Sequence, residues 1–260
     1  MNARSEPRDD LVTIAAIGLV AYTSADVGHH AVGHGASCLA LGGRIRSLSS
    51  IFVDCSLTGA AIDLAGPCAN LAIGAVALLA ARLATHTSAS MRLFIVLAAA
   101  FNLFWLELQL VFSAATRTDD WAEPMRYFHA AEPVRYPMIA AGVLAYVWTV
   151  RTVAAQMAAF ALPLARARKI VGAAWLTAGG IACATAANDP HAVAALLRHA
   201  VPQSLLLSIG LLFVPTRAAR LASSVNAAMA IDFSVPWVVV AALVGVASIL
   251  LLGPGVAVSI

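Results

Sequence analysis

Long apolar runs separated by short polar breaks occupy almost the whole chain. A helix that crosses a bilayer needs about 20 consecutive apolar residues. Runs near that length fall at 11–41, 59–81, 91–115, 137–162, 170–187, 200–215 and 235–253. The first is too long for one straight crossing. It is either a tilted helix or a span ending near Tyr22 followed by a second helix. The run at 170–187 is short and broken by Gly179 and Gly180. The pattern therefore predicts an all-α, polytopic transmembrane helical bundle of six or seven spans. Two polar breaks differ from the others. Residues 44–58, RIRSLSSIFVDCSLT, are β-branched and polar with partial alternation, which predicts a short strand pair at the membrane surface. Residues 116–136 hold four acids and three arginines among aromatic residues and read as an interfacial loop. The chain divides into a polar tail at 1–10, a membrane core at 11–115, this loop at 116–136, and C-terminal helices at 137–260.

Composition agrees with that pattern. Apolar residues make up 61% of the chain and charged residues 11%, about half the share of a soluble domain. Lipid-facing helices must be apolar on every side, so the partner of most of this surface is the lipid bilayer. The formal charge of +3 is spread between apolar runs as membrane flanks, which points to no nucleic-acid partner. With seven spans, nine basic residues fall on the N-terminal side and six on the other, favouring a cytoplasmic N-terminus. No A-x-A-type cleavage site follows the first apolar run, so it reads as a retained helix. Cys38, Cys55, Cys68 and Cys183 form no CxxC pair and read as small packing residues, without a disulfide.

The most informative segment is Asp26-Val-Gly-His-His-Ala-Val-Gly-His34-Gly. Ionisable groups inside an apolar run are costly and mark function. On an α-helix Asp26, His30 and His34 are spaced i, i+4, i+8 and share one face. Two histidines at i, i+4 can bring two imidazole nitrogens to one zinc ion. His29 and His34 are five apart and would share a metal only through a local π turn. Glu107 lies in the apolar run FWLELQL, where a carboxylate must face the bundle interior or water. It is a candidate base or an arginine partner. Asn70 and Asn102 are polar amides within helices, suited to interhelical bonds or to holding a substrate backbone.

Two segments carry a resemblance. HHAVGHGASCLALGGRI at 29–45 resembles the HExxH helix of the site-2 protease family of zinc intramembrane metallopeptidases, and AGPCANLAIGAVALL at 65–79 resembles that family's Ala-Gly-Pro-x-x-Asn-Leu helix through Gly66, Pro67 and Asn70. More weakly, 101–122 is similar to an Asn-bearing helix followed by an acidic Asp-Trp turn. The resemblance implies one zinc per chain, residence in the bacterial cytoplasmic membrane, and a transmembrane protein as substrate or partner. It also implies an aspartate ligand from a later helix, placed by chain position at Asp120 with Asp119 behind it. The family's general-base glutamate is absent. If His30 and His34 are the ligands, its slot holds Ala31. If His29 and His34 are the ligands, the slot holds His30, and a histidine can act as a base. The implied function is hydrolysis of peptide bonds in transmembrane substrates, impaired if no base replaces the glutamate. The alternatives are a non-catalytic membrane scaffold and a metal-ion-handling transporter, against which the Gly-Pro-x-x-Asn helix argues.

Overall fold

The computed structural model describes residues 9–83, 86–222 and 229–257, so all but the last two residues of the polar tail at 1–10 lie outside the described residues. Seven helices are long and apolar enough to cross a membrane: Leu11–Ala40, Ala60–Leu83, Ala89–Thr116, Glu132–Ala158, Leu164–Ala186, Ala192–Leu221 and Val235–Leu252. They are called the first to seventh spans below. The protein is an all-α bundle, and the first apolar run is one continuous 30-residue helix. The run at 170–187, short in sequence, belongs to a full span that begins earlier, at Leu164.

Local chemistry starts the first and third spans. The Asp10 carboxylate accepts from the Thr13 amide at 2.7 Å, and Ser88 Oγ accepts from the Met91 amide at 3.2 Å. Each side chain satisfies a backbone donor that the first helical turn leaves open. The first and third spans form the centre, burying Ile14, Ile17, Leu93, Leu97, Phe101 and Phe104. Tyr22 of the first span stacks on Trp105 of the third at 6.2 Å between centroids.

At one end of the bundle, Asp9 pairs with Arg166 at 2.8 Å, the Asp10 amide donates to the Ile231 carbonyl, and the Ser234 amide donates to Thr13 Oγ1. These bonds tie the starts of the first, fifth and seventh spans together. The opposite end is capped by a small antiparallel sheet. Strand β1 (Ile45–Leu48) pairs with β2 (Val53–Cys55) and with β3 (Val256–Ala257), in the order β2-β1-β3. The strand pair expected within 44–58 forms, and a third strand comes from beyond the seventh span. Among the described residues the outer edge of β2 has no strand beside it.

The expectation that the cysteines form no disulfide is corrected. Cys38 and Cys55 are bonded, with their Cα atoms 6.0 Å apart. Gly42, at φ +83, turns the chain at the end of the first span into β1, and the antiparallel return of β2 brings Cys55 back to that helix end. A Cβ on Gly43 would lie 2.9 Å from both sulfurs, so the bridge crosses the chain at a residue with no side chain. The pairing comes from that turn and not from a CxxC spacing. Cys68 and Cys183 are free thiols.

Candidate metal centre

The first span departs from α-helical geometry where its histidines lie. Gly28–Gly35, GHHAVGHG, is a π-helical stretch. Glycine is a poor α-helix former, and π turns concentrate at functional sites. The i to i+5 repeat brings His29 and His34 onto one face, with their Nε2 atoms 3.2 Å apart. Of the two registers open in the sequence, this geometry selects His29 with His34.

Asp120 completes the group from the turn after the third span. Its Oδ2 lies 2.9 Å from His29 Nε2 and 3.2 Å from His34 Nε2. These three residues offer converging ligand atoms. Tetrahedral zinc with ligands at about 2.0–2.1 Å separates its donors by roughly 3.3–3.4 Å. The observed spacings are close to that, so the donor set could hold a metal ion of about that size. The His34 Nδ1–H donates to the Ile62 carbonyl at 2.7 Å, which fixes the ring with Nε2 turned towards Asp120. The His29 ring stacks on Trp105 at 4.9 Å.

Gln109 of the third span was missed in the sequence, although it stands two residues from Glu107 in the same apolar run. Its Nε2 donates to Asp120 Oδ2 at 2.9 Å and to Asp119 Oδ2 at 3.4 Å, holding the acidic turn in place. Burial by itself would raise the Asp120 pKa. The hydrogen bonds and charges of His29 and His34 outweigh it and hold the carboxyl well below its ordinary range. Asp119 moves the other way, raised by burial and then by the charge of Asp120.

The second span runs against the rings. A Cβ on Gly66 would overlap His34 and His29, and one on Gly33 would meet the Gly66 backbone. The Gly-Pro pair thus has a packing reason, because only glycine lets the helices touch at this depth.

His30 lies beside His29 and is buried. Its Nδ1 is 3.2 Å from the Asp26 carbonyl and 3.2 Å from Asp26 Oδ1. A cavity of about 280 Å³ brings His29, His30, His34, Asp119 and Asp120 together with Phe52 and Val53 beside β2. His199 and Gln203 of the sixth span line the same cavity. The family resemblance does not extend to that half of the chain, and neither residue was singled out from the sequence. The available signal was a histidine and a glutamine four residues apart at the start of an apolar run. A cleft of about 840 Å³ between β2 and the short helix Ala122–Tyr127 shares Val53, Asp63 and Glu123 with the cavity.

Three other candidates lie elsewhere. Glu107 accepts from Thr149 Oγ1 of the fourth span at 2.5 Å and does not line the cavity. Asn70 and Asn102 are fully buried and also do not line it. The Asn102 amide donates to the Ala98 carbonyl at 2.8 Å, and neither polar atom of the Asn70 side chain has a partner among the described residues. No family model, curated protein or solved structure matches this chain.

Proposed function

We propose that the protein is an intramembrane zinc metallopeptidase of the site-2 protease kind, resident in the bacterial cytoplasmic membrane. The observation that carries this reading is the convergence of His29, His34 and Asp120 beside a buried, unused histidine, in a cavity bordered by the free edge of a strand. Zinc held by these three residues supplies a Lewis acid that polarises a carbonyl and lowers the pKa of water. The residues around it do the rest. His30 directs Nδ1 to Asp26, so Nε2 is the nitrogen free to accept a proton, in the slot where the resembling family carries glutamate. The edge of β2 offers backbone donors and acceptors to an extended peptide, which would add as a further strand. A transmembrane substrate must unwind to present such a stretch, because a helical peptide bond is shielded by its own backbone.

A second reading, a metal-binding scaffold without activity, is favoured by one observation: no glutamate follows the first liganding histidine. One experiment separates the two. The protein purified in detergent is expected to hold about one zinc per chain, lost in His34→Ala and Asp120→Ala. His30→Ala is expected to keep the zinc and abolish cleavage of a reconstituted single-span substrate. Zinc retained with no cleavage by the unmutated protein leaves the scaffold. Failure to bind zinc at neutral pH sinks both.

A further inference from the structure

Two independent features of the fold bear on which side of the membrane the cavity faces. Seven spans place the ends of the first, third, fifth and seventh at one end of the bundle. That end carries β1 and β2 after the first span, the Asp119–Asp120 turn after the third, and β3 after the seventh. These pieces meet: Asp120 reaches His29, and Ser47 of β1 pairs with Ala257 of β3. The whole site is therefore built at one end, away from the Asp9–Arg166 tie.

The first feature is charge. The end with the Asp9–Arg166 pair holds Arg82, Arg92, Arg166, Arg168, Lys169, Arg217 and Arg220, and Arg4 and Arg8 precede the first span in the sequence. The site end holds Arg44, Arg46, Arg117, Arg126, Arg135 and Arg198. An excess of basic residues in short loops marks the cytoplasmic side. The second feature is the Cys38–Cys55 bond, which lies at the site end. Disulfides persist in oxidising compartments and are rare where glutathione keeps thiols reduced. Charge and bridge assign the same side.

We infer that the metal cavity and the strand edge beside it open on the oxidising, non-cytoplasmic face of the membrane, with the Cys38–Cys55 bond fastening that strand to the metal-bearing helix. Cys38 stands four residues after His34 on the same helix, and Cys55 ends the strand whose Val53 lines the cavity. The bond therefore links a ligand helix to the cavity wall. The consequence for substrate rests on the peptidase reading. The substrate is a membrane protein whose extended stretch emerges on the non-cytoplasmic face, and the fragment cut there leaves to that side.

The test uses the full chain in a bacterial inner membrane, in a Cys68→Ser, Cys183→Ser background. One reporter, Phe128→Cys, stands on the exposed turn at the site end. The other, Ala165→Cys, is exposed at the opposite end. A membrane-impermeant maleimide–polyethylene glycol is expected to label Phe128→Cys in intact spheroplasts and Ala165→Cys only after lysis. Without a reporter, the denatured protein is expected to take no label until a phosphine reduces the bridge. The phosphine becomes its oxide with oxygen from water, and two thiols are released and labelled. After that reduction, tryptic cleavage at Arg46 is expected to rise about tenfold or more, since losing a cross-link favours local opening. Labelling of Ala165→Cys but not Phe128→Cys in intact spheroplasts overturns the orientation, and labelling of the bridge pair without reductant overturns the bond. An unchanged tryptic rate overturns the fastening. None of these readouts depends on metal or activity, so they stand or fall apart from the peptidase reading.

Discussion

Gly66→Ala tests whether the second span positions the His29 and His34 rings by contact. The added Cβ would lie 2.7 Å from His34 Cε1 and 2.9 Å from His29 Cε1, and it would overlap His34 Nε2 more closely still. The favourable separation between carbon atoms is about 3.5–4.0 Å, so the rings must yield by roughly 1 Å. Neither ring has an easy retreat. The Ile62 carbonyl holds His34 Nδ1 at 2.7 Å, and Trp105 backs His29. The second span cannot retreat cheaply either, because Gly33 and Gly66 already touch backbone to backbone. Overpacking of this kind costs about 1–3 kcal/mol, and disturbing the positioning of a metal ligand weakens binding about 10–100-fold. Zinc affinity is measured by competition with a chromogenic chelator in detergent, and folding is followed by thermal unfolding. The expected result is a folded protein, slightly less stable, with zinc weakened by one to two orders of magnitude. Zinc bound as tightly as in the unmutated protein would refute the reasoning, because it would mean that the rings do not rest on this helix.

Three further predictions follow from the same geometry. Gln109→Leu removes both hydrogen bonds to the acidic turn and is expected to lower zinc affinity about tenfold with little change in fold, read in the same competition assay. Thr149→Val leaves the buried Glu107 without its donor and is expected to destabilise the bundle by about 1–3 kcal/mol in detergent unfolding, with zinc binding unchanged. Because the folded protein depresses the Asp120 pKa, the stabilisation from that carboxylate is present above the unfolded aspartate value of about 3.9 and is lost as pH falls through the folded value. In the metal-free protein, the difference in thermal stability between the unmutated chain and Asp120→Asn should hold from neutral pH down to about pH 4 and shrink only below it. A difference that vanishes by pH 6 would contradict the assigned direction.

The apolar runs were enough to place the helices, because a span is a one-dimensional requirement: enough apolar residues in a row to cross the hydrocarbon core. The same holds for the strand pair at 44–58, read from alternation. The histidine segment pointed to a candidate metal site and left its register open. The glycines that permit a π turn do not compel one, so nothing local chose between His30 and His29 as the partner of His34. Gln109 and Glu107 stood together in one apolar run, and chain position did not tell which faced the histidine–aspartate cluster. Two residues apart on a helix, they point to nearly opposite sides, and the neighbours on each side decided their roles.

By itself the sequence determined the class of protein, the spans and the segment that carries the candidate ligands, all of them local properties of composition and period. The tertiary structure alone decided which histidines converge, that Asp120 joins them, that Gln109 braces it, that Cys38 and Cys55 meet, and that His199 and Gln203 close the cavity from the far half of the chain. Each of these is a meeting of residues distant in sequence. The physical reason is that helix formation spends only backbone bonds between near neighbours, whereas a site is made by side chains from different helices. Their distances are fixed by how the helices pack, and where Gly33 meets Gly66 that packing is set by the absence of a side chain.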